Sequence, residues 1–304
     1  MSTTDTTATT DVLSAADFAA HPFLGPLDRR PAHYRGPHRL SHSGWLNFAD
    51  RLERREEMAA ILAAVATSRR VLDVGGGTGE LTRAVAAQVG RCVTVEPHAR
   101  RVEALQTAGA VSSGNVPHVF EATGTAEIEV LPGHAEALPF PDAAFDAVLA
   151  CWVLPYADDP DRAVREMARV CERGTPGSRV VLIGGAPDNE LVSLLNEVCV
   201  PLAGEPHDHQ GHLLADAART LGESGFPVIS LHRTEAALHF PEIDLEQRIT
   251  IAAATLTDFW YEDHPRAADM REALRPALRR HFARRPHAIG DQGIVLMALC
   301  ESLS

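Results

Sequence analysis

From residue 70 onward the chain alternates short apolar runs with longer stretches whose apolar positions recur at helical spacing. The runs at 70–74 (RVLDV), 92–96 (CVTVE), 127–131 (EIEVL), 146–151 (DAVLAC) and 179–184 (RVVLIG) have the length and the β-branched content of buried strands. Helices are predicted at 79–89 and 98–108, and again after Asp159 and Pro160, which supply an N-cap and a first-turn proline. In that third helix Val164, Met167, Ala168 and Cys171 fall on one stripe, as Met58, Ile61, Leu62 and Val65 do in a helix ahead of the first strand. Further on, the pattern predicts helices at 189–199 and 213–224, a strand at 226–232 and a last strand, GIVLMAL, at 293–299. Strands and helices in such alternation predict an α/β fold, a mainly parallel sheet with helices on both faces.

The first strand runs directly into a glycine turn, VLDVGGGTGELT, with Gly75, Gly77 and Gly79 before the helix. In an α/β sheet this junction is where nucleotide-like ligands bind, although a glycine turn can also be purely structural. The second strand ends in an acid, Glu96 of RCVTVEP, which suits a carboxylate accepting from a ribose diol. A dinucleotide fingerprint does not fit. Counted from Gly75 and Gly77, its third glycine falls on Glu80; counted back from Gly76 and Gly79, its first falls on Val74. A phosphate-binding Gly-Lys-Ser/Thr is absent, and so is lysine altogether: the 28 basic residues are all arginines, which removes any lysine nucleophile or base.

Two later segments, EIEVLPGHAEALPFP at 127–141 and FDAVLACWVLPYADDP at 145–160, complete an ordered series with the glycine turn and Glu96. Together they resemble the class I S-adenosylmethionine-dependent methyltransferases, particularly the small-molecule group related to ubiquinone and menaquinone biosynthesis. The resemblance covers residues 60–185 well and the rest in outline. It implies a Rossmann-like sheet, mostly parallel with the last strand antiparallel, and S-adenosyl-L-methionine as cofactor. Residue by residue, it implies that Asp73 and the backbone at Gly75, Gly77 and Gly79 hold the methionine end. Glu96, followed by Pro97, would take the ribose hydroxyls, His134, Ala135 and Glu136 the adenine, and Cys151 and Trp152 the place under the sulfonium. The family commonly has Asp where this chain has His134, and often Cys at Gly76, a difference expected to be neutral.

Composition narrows the rest. The chain has 304 residues, 45% of them hydrophobic, enough for one full core with additions. The expected division is a disordered tail over 1–20, a lid and helix over 21–66, a cofactor-binding core over 67–232, a helical cap insertion over 233–288, and the final strand of the core over 289–304. No apolar run approaches the ~20 residues of a membrane span, and the start of the chain is not a secretory signal. Five scattered cysteines read as reduced core residues of a cytoplasmic protein. The net charge of −13 argues against nucleic acid or an anionic membrane as partner, while a homodimer stays open. One basic segment, Met270 to Arg285, predicts a helix interrupted at Pro276, either a solvated face or an anchor for an anionic group.

Methyl transfer needs positioning first, and a base only where the acceptor bears a proton. The catalytic candidates are His209 and Tyr156. His209 sits with His207, Asp208 and His212 in a cluster that suits a general base, a metal site or a helix-capping loop; a metal is left unassigned. Tyr156 either hydrogen-bonds substrate or packs under a lid. Tyr34, Trp45, Phe259, Trp260 and Tyr261 would suit a pocket for a flat or apolar acceptor. The expected function is transfer of a methyl group to a small molecule, a specialised metabolite. The alternatives are a protein of the same fold that uses the cofactor structurally in a cyclase-like or isomerase-like reaction, and a non-catalytic binding partner, against which the intact glycine turn and Glu96 argue.

Overall fold

The computed structural model describes residues 11–14, 41–108, 126–205 and 211–300. In chain order the elements are β1 (Asp11–Ser14), α1 (His42–Ala49), β2 (Leu52–Glu53), α2 (Arg55–Val65), β3 (Val71–Val74), α3 (Glu80–Val89), β4 (Arg91–Glu96), α4 (Ala99–Ala108) and β5 (Glu127–Pro132). They continue with β6 (Ala147–Cys151), α5 (Pro160–Val170), β7 (Arg179–Gly185), α6 (Glu190–Ala203), α7 (Gly211–Glu223), β8 (Val228–Thr234), β9 (Ala237–His239), α8 (Leu245–Tyr261), α9 (Ala267–Phe282), β10 (Ala288–Gly290) and β11 (Gly293–Leu299).

The main sheet has the order β1-β8-β11-β7-β6-β3-β4-β5. Strands β5, β4, β3, β6 and β7 are parallel, and β11 enters antiparallel between β7 and β8, as the family resemblance implies for the last strand. Because β4 lies on one side of β3 and β6 on the other, the order reverses there and opens a crevice at the carboxyl ends of those two strands. Alternation along the strands feeds two cores. Val148 and Ala150 of β6 and Val180 and Leu182 of β7 pack towards α5 and α7, whereas Ala147, Leu149, Val181 and Ile183 pack towards α2 and α3.

Three features differ from the sequence expectation. Within the segment read as a disordered tail, residues 11–14 form a strand that pairs antiparallel with β8. The open edge of β8 supplies hydrogen bonds that a composition argument does not see. The insertion is not purely helical: besides α8 and α9 it contributes β9 and β10 to a second sheet of order β10-β9-β2. The basic helix also runs unbroken through Pro276. An interior proline costs about 3 kcal/mol, which is offset by burial of Met270, Leu274, Ala277, Leu278 and Phe282 in a third core that α6, α8 and α9 share. Its arginines serve the same packing. Arg271 donates to Asp258 at 2.6 Å and Arg275 to Glu246 at 2.9 Å, joining α9 to α8, and Arg280 pairs with Glu197 of α6.

All five cysteines are free, and Cys92, Cys171 and Cys199 are buried. Among the described residues, no helix is long and apolar enough to cross a membrane. The segment 21–40 of the expected lid, and His207, Asp208 and His209, lie outside the described residues.

Candidate active site

A cavity of about 510 Å³ opens where the strand order reverses, a size suited to a small ligand. Asp73, Gly75, Gly77, Glu96, Pro97, His134, Ala135, Glu136, Cys151, Trp152 and Tyr156 all line it. Gly79 does not. It sits one turn deeper as the N-cap of α3, with φ of 79°, and a Cβ there would come within 2.2 Å of the Leu105 side chain. His212, the described member of the histidine cluster, is buried at the start of α7 and is not among the lining residues.

The glycine turn and Glu96 form one unit. Gly75 and Gly77 have φ of 79° and 56°, left-handed conformations that favour glycine. The turn is folded so that Gly77 N–H donates to Glu96 Oε2 at 3.0 Å, while His98 N–H donates to Oε1 at 3.1 Å. Around Gly77 there is room: a Cβ would meet only the Gly75 carbonyl oxygen, at 3.8 Å. Gly76 is different, because a Cβ would fall 2.2 Å from Thr94 Oγ1. A cysteine in its place would therefore not be neutral here, contrary to the sequence expectation.

Asp73 at the end of β3 is buried and accepts from Thr82 Oγ1 at 2.6 Å. Burial, with a smaller push from Glu96 against the Thr82 bond, raises its carboxyl to about 6. Burial pushes the Cys151 thiol up as well, which favours its neutral form at the cavity wall. Trp152, next in the chain, has φ of 57°, rare for a bulky residue. Its backbone N–H donates to Ile183 O at 3.0 Å and its indole N–H to Glu57 Oε2 at 3.2 Å. On the adjoining wall, Glu136 Oε1 accepts from the backbone N–H of Asp158 at 2.8 Å, which ties the loop after β5 to the one after β6.

Part of the cavity lining is aromatic and aliphatic. Trp45 and Phe48 of α1 stack with ring centroids 5.8 Å apart, and Phe48 stacks on Phe259 of α8 at 4.3 Å. These three, with Leu52, Leu191 and Val192, line the same cavity. Arg54 and Asp291 do too, and neither carries a local sequence signal. Trp260 and Tyr261, grouped with Phe259 in the sequence, are buried in the core of the insertion.

The fold and this site define an α/β protein with a cavity at the carboxyl ends of β3 and β6 and a carboxylate at the end of β4. The methyltransferase domain model matches residues 72–176. A ubiquinone/menaquinone biosynthesis C-methyltransferase from Hahella chejuensis is 36% identical over 146 residues, which are 47% of this chain and 55% of that protein. The protein of the same description from Pseudomonas savastanoi pv. phaseolicola is 30% identical over 204 residues, 60% of this chain and 76% of the relative. Among solved structures the YcgJ protein of Bacillus subtilis shares the fold, with a TM-score of 0.50 at 18% identity over 82% of this chain and 100% of its own. The chain belongs to the class I S-adenosylmethionine-dependent methyltransferases. S-adenosylmethionine is the cofactor that this membership brings.

Proposed function

We propose that the protein transfers a methyl group to a flat, largely apolar small molecule held between the glycine turn and the aromatic wall. The observation that carries this is one cavity lined both by the Gly77–Glu96 unit and by the aromatic rings of Trp45, Phe48 and Phe259. The cofactor supplies an activated methyl group on a sulfonium sulfur. Glu96 would accept from the ribose hydroxyls, Asp73 with the backbone at Gly75 and the open backbone at Gly77 would face the methionine end, and His134 to Glu136 would border the adenine. Trp152, Phe48 and Phe259 would exclude water from the reacting centre and place the acceptor ring, and aromatic faces also favour a cation near them. The relatives named for quinone biosynthesis suggest a quinone-like ring as the type of acceptor.

The test is formation of S-adenosylhomocysteine by the purified protein with a panel of hydroquinones, naphthols and catechols. Calorimetric binding of S-adenosylhomocysteine serves as control. Binding with turnover of at least one ring acceptor supports the reading. Turnover only of small aliphatic acceptors would remove the ring from it.

A further inference from the structure

The cofactor motifs occupy the ends of β3, β4, β5 and β6, which leaves the β7 and β11 side of the crevice for the acceptor. There the short link between β10 and β11 brings Asp291 into the cavity wall. Its residue is 7% exposed. Asn189, in the loop after β7, donates from Nδ2 to Asp291 Oδ1 at 2.7 Å and to the Gln292 carbonyl at 3.0 Å. Asn189 is itself held, because its Oδ1 caps α6 by accepting from Val192 N–H at 2.9 Å. The backbone N–H of Asp291 donates to Ala236 O at 2.8 Å. One carboxylate oxygen is thus held by Asn189, and the backbone of the residue is held by Ala236. The other oxygen, Oδ2, has no protein partner among the described residues, on a side chain that lines the cavity.

Two other buried acids lie nearby. Asp73 is likewise held through one oxygen, by the Thr82 hydroxyl, but stands at the end of β3 among the cofactor motifs, and Glu57, whose Oε2 takes the Trp152 indole, is not a lining residue. A carboxylate buried at a cavity wall, oriented through one oxygen and open through the other, is the arrangement a general base needs. Leu191 and Val192 line the same cavity, and Arg54 and Glu57 are the charged groups that act on Asp291.

We propose that Asp291 is the proton acceptor for the methyl acceptor, and that the acceptor therefore carries an acidic hydroxyl on its flat ring, as phenols and hydroquinones do. The inference rests on the methyltransferase reading and adds the substrate's ionisable group to it. The hydroxyl O–H bond breaks, its proton passes to Asp291 Oδ2, and the electron pair stays with the acceptor, making the oxygen or the ring carbon next to it nucleophilic. At oxygen that pair forms the bond to the methyl carbon; at carbon it becomes the C=O π pair while a ring π pair forms that bond, and the proton on the methylated carbon then moves to oxygen to restore the aromatic ring. In either case the pair of the broken carbon–sulfur bond leaves on sulfur. Burial raises the Asp291 carboxyl to about 6, opposed by the Asn189 bond and by the cationic Arg54. The group is thus ionised at neutral pH and basic enough to take a phenolic proton as the bond to carbon forms.

Two ligands test this without knowledge of the acceptor. S-adenosylhomocysteine lacks the methyl group; sinefungin carries a protonated amine on a carbon in place of the sulfonium and methyl, aimed at the acceptor side. Calorimetric affinities of both are compared in the wild type, Asp291→Asn and Asp291→Ser, the serine variant standing in should the amide not fold. The expected result is unchanged S-adenosylhomocysteine affinity and sinefungin binding weakened about tenfold. Equal affinities in wild type and variants overturn the proposal, since Asp291 then does not face the transfer position. Equal loss of both ligands overturns it too, by making Asp291 a structural or methionine-end residue. Failure of the wild type to bind S-adenosylhomocysteine would instead strike at the cofactor site itself.

Discussion

The indole N–H of Trp152 donates to Glu57 Oε2 at 3.2 Å across 95 positions of sequence. The bond docks the first turn of α2 against the end of β6 and helps hold Trp152 in its left-handed conformation at the cavity wall. Glu57 is 1% exposed. Burial, opposed by Arg54, raises its carboxyl to about 7 from an ordinary value of 4.5.

A raised carboxyl makes stability depend on pH in a definite direction. The neutral form is favoured in the folded protein, so its contribution is complete below about 4.5 and is lost as pH rises through about 7. Asp73 and Asp291, both raised to about 6, act in the same sense. Glu57→Gln keeps an oxygen to accept from Trp152 and removes the buried charge. At pH 8.5 it should be more stable than the wild type by about 2–3 kcal/mol, and the gain should disappear at pH 4. Denaturant melts of both proteins at the two pH values check this; a gain independent of pH would refute the titration account.

Glu96→Ala should weaken cofactor binding by about 2–4 kcal/mol. Two effects combine: the loss of an acceptor for the ribose hydroxyls, and the loss of the bond that folds Gly77 over the cavity. Calorimetry with S-adenosylhomocysteine measures it. Unchanged affinity would place the nucleoside elsewhere.

The glycines of one turn should respond differently to a methyl group. Gly77→Ala meets open space and bears mainly the left-handed backbone, a cost of about 1 kcal/mol. Gly79→Ala adds a 2.2 Å approach to Leu105 on top of the same backbone strain, and should cost at least twice as much. Thermal melts of the two variants rank them, and a larger effect at Gly77 would contradict the packing described for α3.

The aromatic contact between α1 and α8 should tighten over a bound acceptor. Amide exchange in 42–49 and 245–261 is expected to slow when S-adenosylhomocysteine and a ring acceptor are added together, and less with S-adenosylhomocysteine alone. Phe259→Ala should raise the acceptor's KM with little change in cofactor affinity. Protection confined to the central strands would show that these helices do not close on the site.

Most of the central sheet was legible in the chain because its signals are local. The runs that become β3 to β7 each carry their own apolar content, and Gly75, Gly77 and Glu96 stand within or just beyond the elements that present them. Asp159 and Pro160 likewise mark the start of α5 by themselves. Other features depended on partners far away in sequence. The pairing of residues 11–14 with β8 is invisible to composition, and the strands β2, β9 and β10 are too short to announce themselves. Pro276 looked like a helix breaker until the packing of α9 on α6 and α8 was known. Asp291 meets Asn189 across 102 positions. Whether such an acid is a solvated surface group or a buried carboxylate facing a ligand depends on what packs around it, since desolvation and hydrogen bonding are properties of the assembled cavity. Sequence alone determined the succession of central strands and helices along the chain and the cofactor turn; tertiary packing decided which side chains line the cavity, because only packing removes the water from around them.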